Sequence, residues 1–172
     1  NQPLNNWNVS SVEDMAQMFD GAEQFNQPLN DWNVLNVRNM CKMFKNASSF
    51  NQPLNNWNVS NVENMVQMFD DASSFNQPLD RWDVSKVKDM TCMFYGATSF
   101  RQPITAWKLC GQSTLDIFLD LPDYRDMESR VMCLAVLEGN DREYELQEMI
   151  KIFGKKAVHE ALRLYGAKYG LK

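Results

Sequence analysis

Few residues in this chain are equipped for chemistry. Its 172 residues include one histidine, His159, and four cysteines, Cys41, Cys92, Cys110 and Cys133. A single imidazole excludes zinc sites built from several of them. His159 lies in KKAVHEALRLYG, where Val158, Ala161, Leu162 and Tyr165 form the apolar stripe of a helix, so it reads as a surface residue rather than a ligand or base. Asp116, Asp120, Asp123 and Asp126 are spaced four, three and three, as calcium ligands could be. Pro122 interrupts any helix there, and the run lacks the ligand order of an EF-hand loop. No C-x-x-C pair, glycine-rich phosphate loop or nucleophile elbow occurs. With no acid, base and nucleophile converging, the expectation is a protein without catalysis, cofactor or metal site.

The composition points instead to a folded surface for contacts. Apolar residues make up 44% and charged residues 23%, enough for a real core. The net charge of −5 and a pI near 4.9 argue against a chain built to neutralise phosphates, so no nucleic-acid partner is expected. No apolar run approaches the ~20 residues of a membrane-spanning helix. Residues 101–172 hold 11 acidic and 11 basic groups, so the net charge belongs to the first hundred residues.

Those hundred residues are a repeat. Trp7, Trp32, Trp57, Trp82 and Trp107 stand 25 apart, and the same step carries Pro3, Gln2, Met15, Phe19, Ala22 and Phe25 through the following units. Residues 1–25 and 51–75 are identical at 19 of 25 positions. Four full units and a partial fifth end near Cys110, which divides the chain into a repeat array over 1–110 and a C-terminal segment over 111–172. The sequence opens in the middle of a unit, so a piece of a longer or processed chain is expected, with missing upstream repeats or another subunit covering the N-terminal edge.

Within a unit, Leu4, Trp7, Val9 and Val12 are spaced L-x-x-W-x-V-x-x-V, and Trp7 and Val9 alternate with Asn6 and Asn8, a strand period. Val12, Met15, Met18, Phe19 and Ala22 then step by three and four, the stripe of a short helix, with Ser10/Glu13 and Ser60/Glu63 as capping boxes. One strand and one helix cannot bury a core alone, so units must stack. Strands about 4.8 Å apart beside helices about 8–10 Å apart imply curvature, with strands on the concave side. The predicted fold is α/β: a curved leucine-rich-repeat-like solenoid with a helical C-terminal cap.

The run FNQPLNNWNVSNVENMVQMFDDASSFNQPL resembles the BspA-like leucine-rich-repeat family of bacterial surface proteins and lipoproteins, arrays of which also occur in protists and giant viruses. The resemblance covers residues 1 to about 110 and implies an adhesion or protein-interaction scaffold without catalytic residues.

In such an array the shared positions pack and the varying ones are free to recognise. Asn6, Asp31, Asn56 and Arg81 form one outward row and Asn8, Asn33, Asn58 and Asp83 another. They read either as a solvated asparagine ladder bonding between neighbouring coils or as a polar partner-binding surface. On the helix side Glu13, Arg38, Glu63, Lys88 and Asp20, Lys45, Asp70, Tyr95 alternate in sign from unit to unit. Exposed pairs of this kind contribute about 0–1 kcal/mol each and would set register, unless the strip docks a partner.

Cys41 and Cys92 fall on outer helix positions two coils apart. A separation of about 16–20 Å exceeds the ~7 Å disulfide limit, so they cannot bridge to each other. Cys110 and Cys133 could meet only if the C-terminal segment folds back on the last strand. Four free thiols would fit a reducing compartment. The resemblance implies a cell surface or virus particle, and localisation stays open between them.

Beyond Cys110 the periodicity predicts helices over 115–119, 126–137, 143–153 and 155–165, with Gly139-Asn140 and Gly154 as stops. They cap the last coil or form a docking module. The function expected from all this is a non-catalytic scaffold presenting a repeat-built surface to a protein, with carbohydrate binding as a minor variant. The alternative is a structural subunit held in a larger assembly through its ends.

Overall fold

Tight turns, rather than strands and helices, build each repeat. In the computed structural model, which describes residues 2–102, 104, 106, 107, 117, 139–166 and 171, every unit bends at apolar-x-x-apolar steps. The Trp57 N–H donates to the Leu54 carbonyl (3.0 Å), Val62 to Val59 (2.9 Å), Met68 to Met65 (3.2 Å), Ala72 to Phe69 (3.0 Å) and Phe75 to Ala72 (3.0 Å). A turn closed three residues apart returns both of its ends to the same side. The apolar ends therefore point inward and most of the residues between them lie nearer the surface, Asp70 and Cys92 being buried exceptions.

The expected α/β solenoid, with one strand and one helix per repeat, is therefore corrected. Among the described residues no extended strand forms, and the two defined helices both lie beyond the repeats. The three-residue spacing that resembled a helical stripe is the spacing of successive turns, and Ser10 and Ser60 open turns rather than helices. With the strands goes the concave strand face inferred from them.

Units 1 to 4, residues 2–25, 26–50, 51–75 and 76–100, stack as coils joined by a ladder whose backbone bonds run mostly from each coil to the next, with returns such as Arg38 to Glu13 and Ser49 to Glu23. From coil 1 to coil 2, the N–H groups of Met15, Gln17, Phe19 and Gly21 donate to the carbonyls of Asn39, Cys41, Met43 and Lys45 at 2.8–2.9 Å. The same set recurs from coil 2 to coil 3 and from coil 3 to coil 4. A parallel strand would also return bonds from coil 2 to the carbonyls of Met15, Gln17 and Phe19. Those carbonyls are spent on turns within coil 1, accepting from Met18, Asp20 and Ala22. The Cys41 N–H that would reach Met15 is taken by Asn39 Oδ1 (3.1 Å). Only the step through Asp14, Asn39, Asn64 and Asp89 keeps both halves of the pattern, as isolated parallel bridges.

This geometry needs left-handed backbone at two positions per coil. Gln17, Lys42, Gln67 and Cys92 have φ of 55–59°, and Gly21, Asn46, Asp71 and Gly96 have φ of 56–70°. Glycine and asparagine meet that demand at low cost at the second set.

Inside the stack, like side chains sit on like. Tryptophans from neighbouring coils lie with centroids 6.4–6.5 Å apart and within 8° of parallel. Each buried indole also donates Nε1–H to a leucine carbonyl of the preceding coil, as Trp57 does to Leu29 (2.8 Å). Two phenylalanine columns run alongside, and Phe44 meets Phe50 at 4.1 Å within one coil. Such offset stacks contribute about 0.5–1.5 kcal/mol per pair beyond burial.

Beyond the coils, α1 (Gly139–Phe153) and α2 (Lys155–Tyr165) follow. The second matches its expected bounds. The first begins at Gly139, four residues before its expected start. Gly154, at φ 83°, separates the two and closes α1 by donating to the Ile150 carbonyl (2.9 Å). Met149, Val158 and Ala161 join the same apolar core as the coils. The helix expected over 126–137 lies outside the described residues. Of the one over 115–119 only Ile117 is described; it is helical and fully buried.

Candidate functional site

All eight residues of the two predicted rows are exposed. Asn6, Asp31, Asn56 and Arg81 each occupy the third position of the turn that ends in the coil's tryptophan, so they project where the chain bends outward. Asn8, Asn33, Asn58 and Asp83 follow that tryptophan. Each turns its Oδ1 back to accept a backbone N–H two residues ahead, from Ser10 (3.1 Å), Leu35 (3.2 Å), Ser60 (3.2 Å) and Ser85 (3.1 Å). This is the local bond by which Asn and Asp stabilise a turn. One side-chain oxygen in the second row is thus committed within its own coil.

The asparagine ladder expected at these positions forms elsewhere. Asn26 and Asn51 accept the backbone N–H groups of Asn51 (3.0 Å) and Asn76 (2.9 Å), and Asn76 accepts that of Arg101 (2.9 Å). Gln52, Gln77 and Gln102 bond to the same oxygens at 3.1 Å. A second set runs from Asn36 Nδ2 to the Ser10 carbonyl (2.7 Å) and from Asn61 Nδ2 to the Leu35 carbonyl (3.0 Å). The 25-residue recurrence of Asn and Gln was the signal for these ladders. Which asparagine reaches a neighbouring coil depends on turn direction, which spacing does not reveal.

Two members of the rows come together in a concavity. Arg81 and Asp83 line a pocket of about 360 Å³ with Trp82, Val84, Ser85 and Ala106. This is where coil 4 departs from the Asn/Asp pattern of the other three. The remaining six form parallel rows of amides and carboxylates above the tryptophan column. Such a surface can exchange hydrogen bonds with a partner, and it places no nucleophile beside a base.

The alternating charges pair as their signs suggest. Glu63 accepts from Arg38 (3.5 Å) and Lys88, and Lys88 holds its carboxyl below the usual range. Lys45 pairs with Asp70. That second pair is no surface decoration: Asp70 is 2% exposed, its Oδ2 also accepts from Gln67 (2.6 Å), and its Oδ1 has no partner. Burial pushes the Asp70 carboxyl up against the pull of Lys45, and Asp71 adds to the push. The sequence pattern identified the pair and missed its depth.

Cys41 is half-buried and Cys92 buried, and burial raises the Cys41 thiol above its ordinary value. Cys110, Cys133 and the four aspartates from 116 to 126 lie outside the described residues. Among those described, no three His, Cys, Asp or Glu side chains gather as metal ligands would. His159 is exposed on α2, beside Lys155, Lys156, Glu160 and Arg163 around a concavity of about 530 Å³.

The family described as "Mycoplasma protein of unknown function, DUF285" matches residues 29–117, just over half of the chain. The chain belongs to this family. Neither the curated proteins nor the solved structures contain a match. In this DUF285 chain the matched span runs from Leu29 in coil 2 to the buried Ile117, so it takes in most of coil 2, coils 3 and 4 and the residue that meets their last edge. Among the described residues no helix is long and apolar enough to cross a membrane.

Proposed function

We propose that the chain is a non-catalytic scaffold that presents its two polar rows to a protein partner. The observation that carries this reading is a division of labour within each coil. In coils 2 to 4 the shared leucine, tryptophan, valine, methionine, phenylalanine and alanine positions are buried, and the varying Asn6/Asp31/Asn56/Arg81 and Asn8/Asn33/Asn58/Asp83 rows are all exposed. Membership of a repeat family supports it, and the sequence likeness to BspA-like surface proteins favours adhesion as the setting. The Arg81/Asp83 pocket supplies the point of specificity, because it adds opposite charges and a concave wall to the amide rows.

Site-directed photo-crosslinking tests the proposal. A photoreactive residue is placed at 56 or 81 and, as a control, at the exposed Ser49 or Ser74. Adducts to one recurrent protein from 56 and 81, lost on combining Arg81→Glu with Asp83→Lys, are the expected result. Equal labelling from all four positions would sink it.

A further inference from the structure

Neighbouring coils stand at different distances on their two sides. Along the ladder, N–H groups reach the carbonyls of the next coil directly, at 2.7–2.9 Å. Bonds of that kind set adjacent backbones about 4.8 Å apart. The phenylalanines on the ladder, Phe19, Phe44, Phe69 and Phe94, step by 5.3–5.5 Å from coil to coil. The column of Phe25, Phe50, Phe75 and Phe100 steps by 5.9–6.0 Å, and the tryptophans step by 6.4–6.5 Å. The stack therefore fans open toward its tryptophan side. Hydrogen bonding follows the spacing. Among the described residues, the backbone bonds between coils 1 to 4 begin at Glu13 and its equivalents. In the first half of a coil side chains span the wider gap: the Asn56 and Arg81 N–H groups donate to Asn30 Oδ1 (3.1 Å) and Asn55 Oδ1 (3.2 Å) of the preceding coil.

The polar rows flank the tryptophans and share this wider step. An extended polypeptide repeats its side chains on one face every two residues, about 6.7 Å, which matches one coil. Over coils 2, 3 and 4 the two periods stay together to within about 0.5 Å. A helix does not keep pace: its same-face residues four apart advance about 6 Å and swing about 40° round the axis, so the third stands about 80° out of line. We infer that the row Asp31, Asn56, Arg81 reads an extended segment of the partner protein, one alternate side chain per coil. The charges give that segment its chemistry. Asp31 calls for a cation, Asn56 for a group that both donates and accepts, and Arg81 for a carboxylate. The segment thus carries a basic and an acidic residue four apart, with an amide midway. Ala106 continues the row beyond Arg81 with a short side chain, and the pocket there gives the carboxylate room beside the guanidinium. Asp83 belongs to the second row, and its Oδ1 is held by the Ser85 N–H (3.1 Å). The inference rests on the rows facing a protein, and adds the conformation and residue pattern of what they take.

The test titrates the intact 172-residue chain with capped nine-residue peptides and reads affinity by calorimetry. The probe carries lysine, glutamine and glutamate at alternate positions with threonine between them. Its controls have the same composition, with lysine and glutamate three or five apart. Expected is binding at least tenfold tighter for the four-apart probe. Asp31→Arg, at an exposed position, should shift the preference to a peptide with glutamate at both charged positions. Gain of that second peptide separates a changed contact from a folding defect, because a misfolded row would bind neither. Equal affinity for the three spacings, or binding of none, overturns the inference. Photo-crosslinking from 56 and 81 then tells which reading has failed: adducts without a spacing preference reject the extended segment and keep the rows as a partner surface, and no adducts reject both.

Discussion

Coils 1 and 3 are nearly the same sequence in different surroundings. Trp57 is 2% exposed and Trp7 55%; Met68 is fully buried and Met18 is 36% exposed. Both coils make the same internal turns, with Trp7 donating to Leu4 and Trp57 to Leu54 at 3.0 Å. Local structure is therefore encoded coil by coil, while burial is conferred by the neighbour. In a stack where each unit touches only the next, stability is a sum of unit and interface contributions, and a described end coil has one interface where an inner coil has two.

Matched substitutions in the two coils test that account. The largest difference is expected at tryptophan. Trp57→Ala should cost about 3–5 kcal/mol, since it empties a core site and removes the indole's bond to the Leu29 carbonyl, which keeps the Trp32 N–H. Trp7→Ala should cost about 1 kcal/mol or less, because one of its ring faces is open. Urea unfolding midpoints of the two variants measure the gap, and equal costs would break the comparison. Methionine gives the next contrast: about 2–5 kcal/mol for Met68→Ala against about 0.5 kcal/mol for Met18→Ala, read in the same way.

Glycine sharpens it at a turn. Gly21 and Gly96 occupy equivalent left-handed positions, with φ of 70° and 65°. A Cβ on Gly21 meets nothing within 4 Å, whereas on Gly96 it would stand 2.0 Å from Asp71 Oδ1. Gly21→Ala should cost about 1 kcal/mol for the backbone conformation alone, and Gly96→Ala about 1 kcal/mol more for displacing Asp71. Thermal midpoints decide the order.

The smallest effect is in the pH dependence. Because burial holds the Asp70 carboxyl above its ordinary range, the folded chain keeps that proton over a window where the unfolded chain releases it. This group's contribution is complete below its unfolded value near 4 and is lost as pH rises through the raised folded value. Asp70→Asn should flatten that decline in stability. A steeper decline in the variant would mean that Lys45, not burial, governs the site.

Much of this was legible in the amino-acid order. The 25-residue period, the inward tryptophans, the pairing of Glu63 with Arg38 and Lys88 and the bounds of α2 follow from residue types and spacing. The secondary structure did not. Val12, Met15, Met18 and Ala22 are three and four apart both on a helix and along a chain of three-residue turns, and hydropathy cannot tell these apart. The distinction lies in which carbonyl each N–H reaches. The eight row residues were correctly placed outside, because exposure follows from alternation whichever element carries it. That Asn8 and its equivalents bond within their own coil, while Asn26 and Asn51 bond between coils, was not legible, since both are asparagines beside a turn.

The sequence by itself determined the repeat, the inward and outward residue sets and the order of charges, because each depends only on side-chain chemistry at a fixed step. Only the tertiary structure decided that the units are turns joined by a ladder running mostly one way, that Asp70 is deep where Glu63 is shallow, and that Trp7 and Trp57 lead different lives. Hydrogen-bond direction and burial belong to pairs of coils, and no single unit contains them.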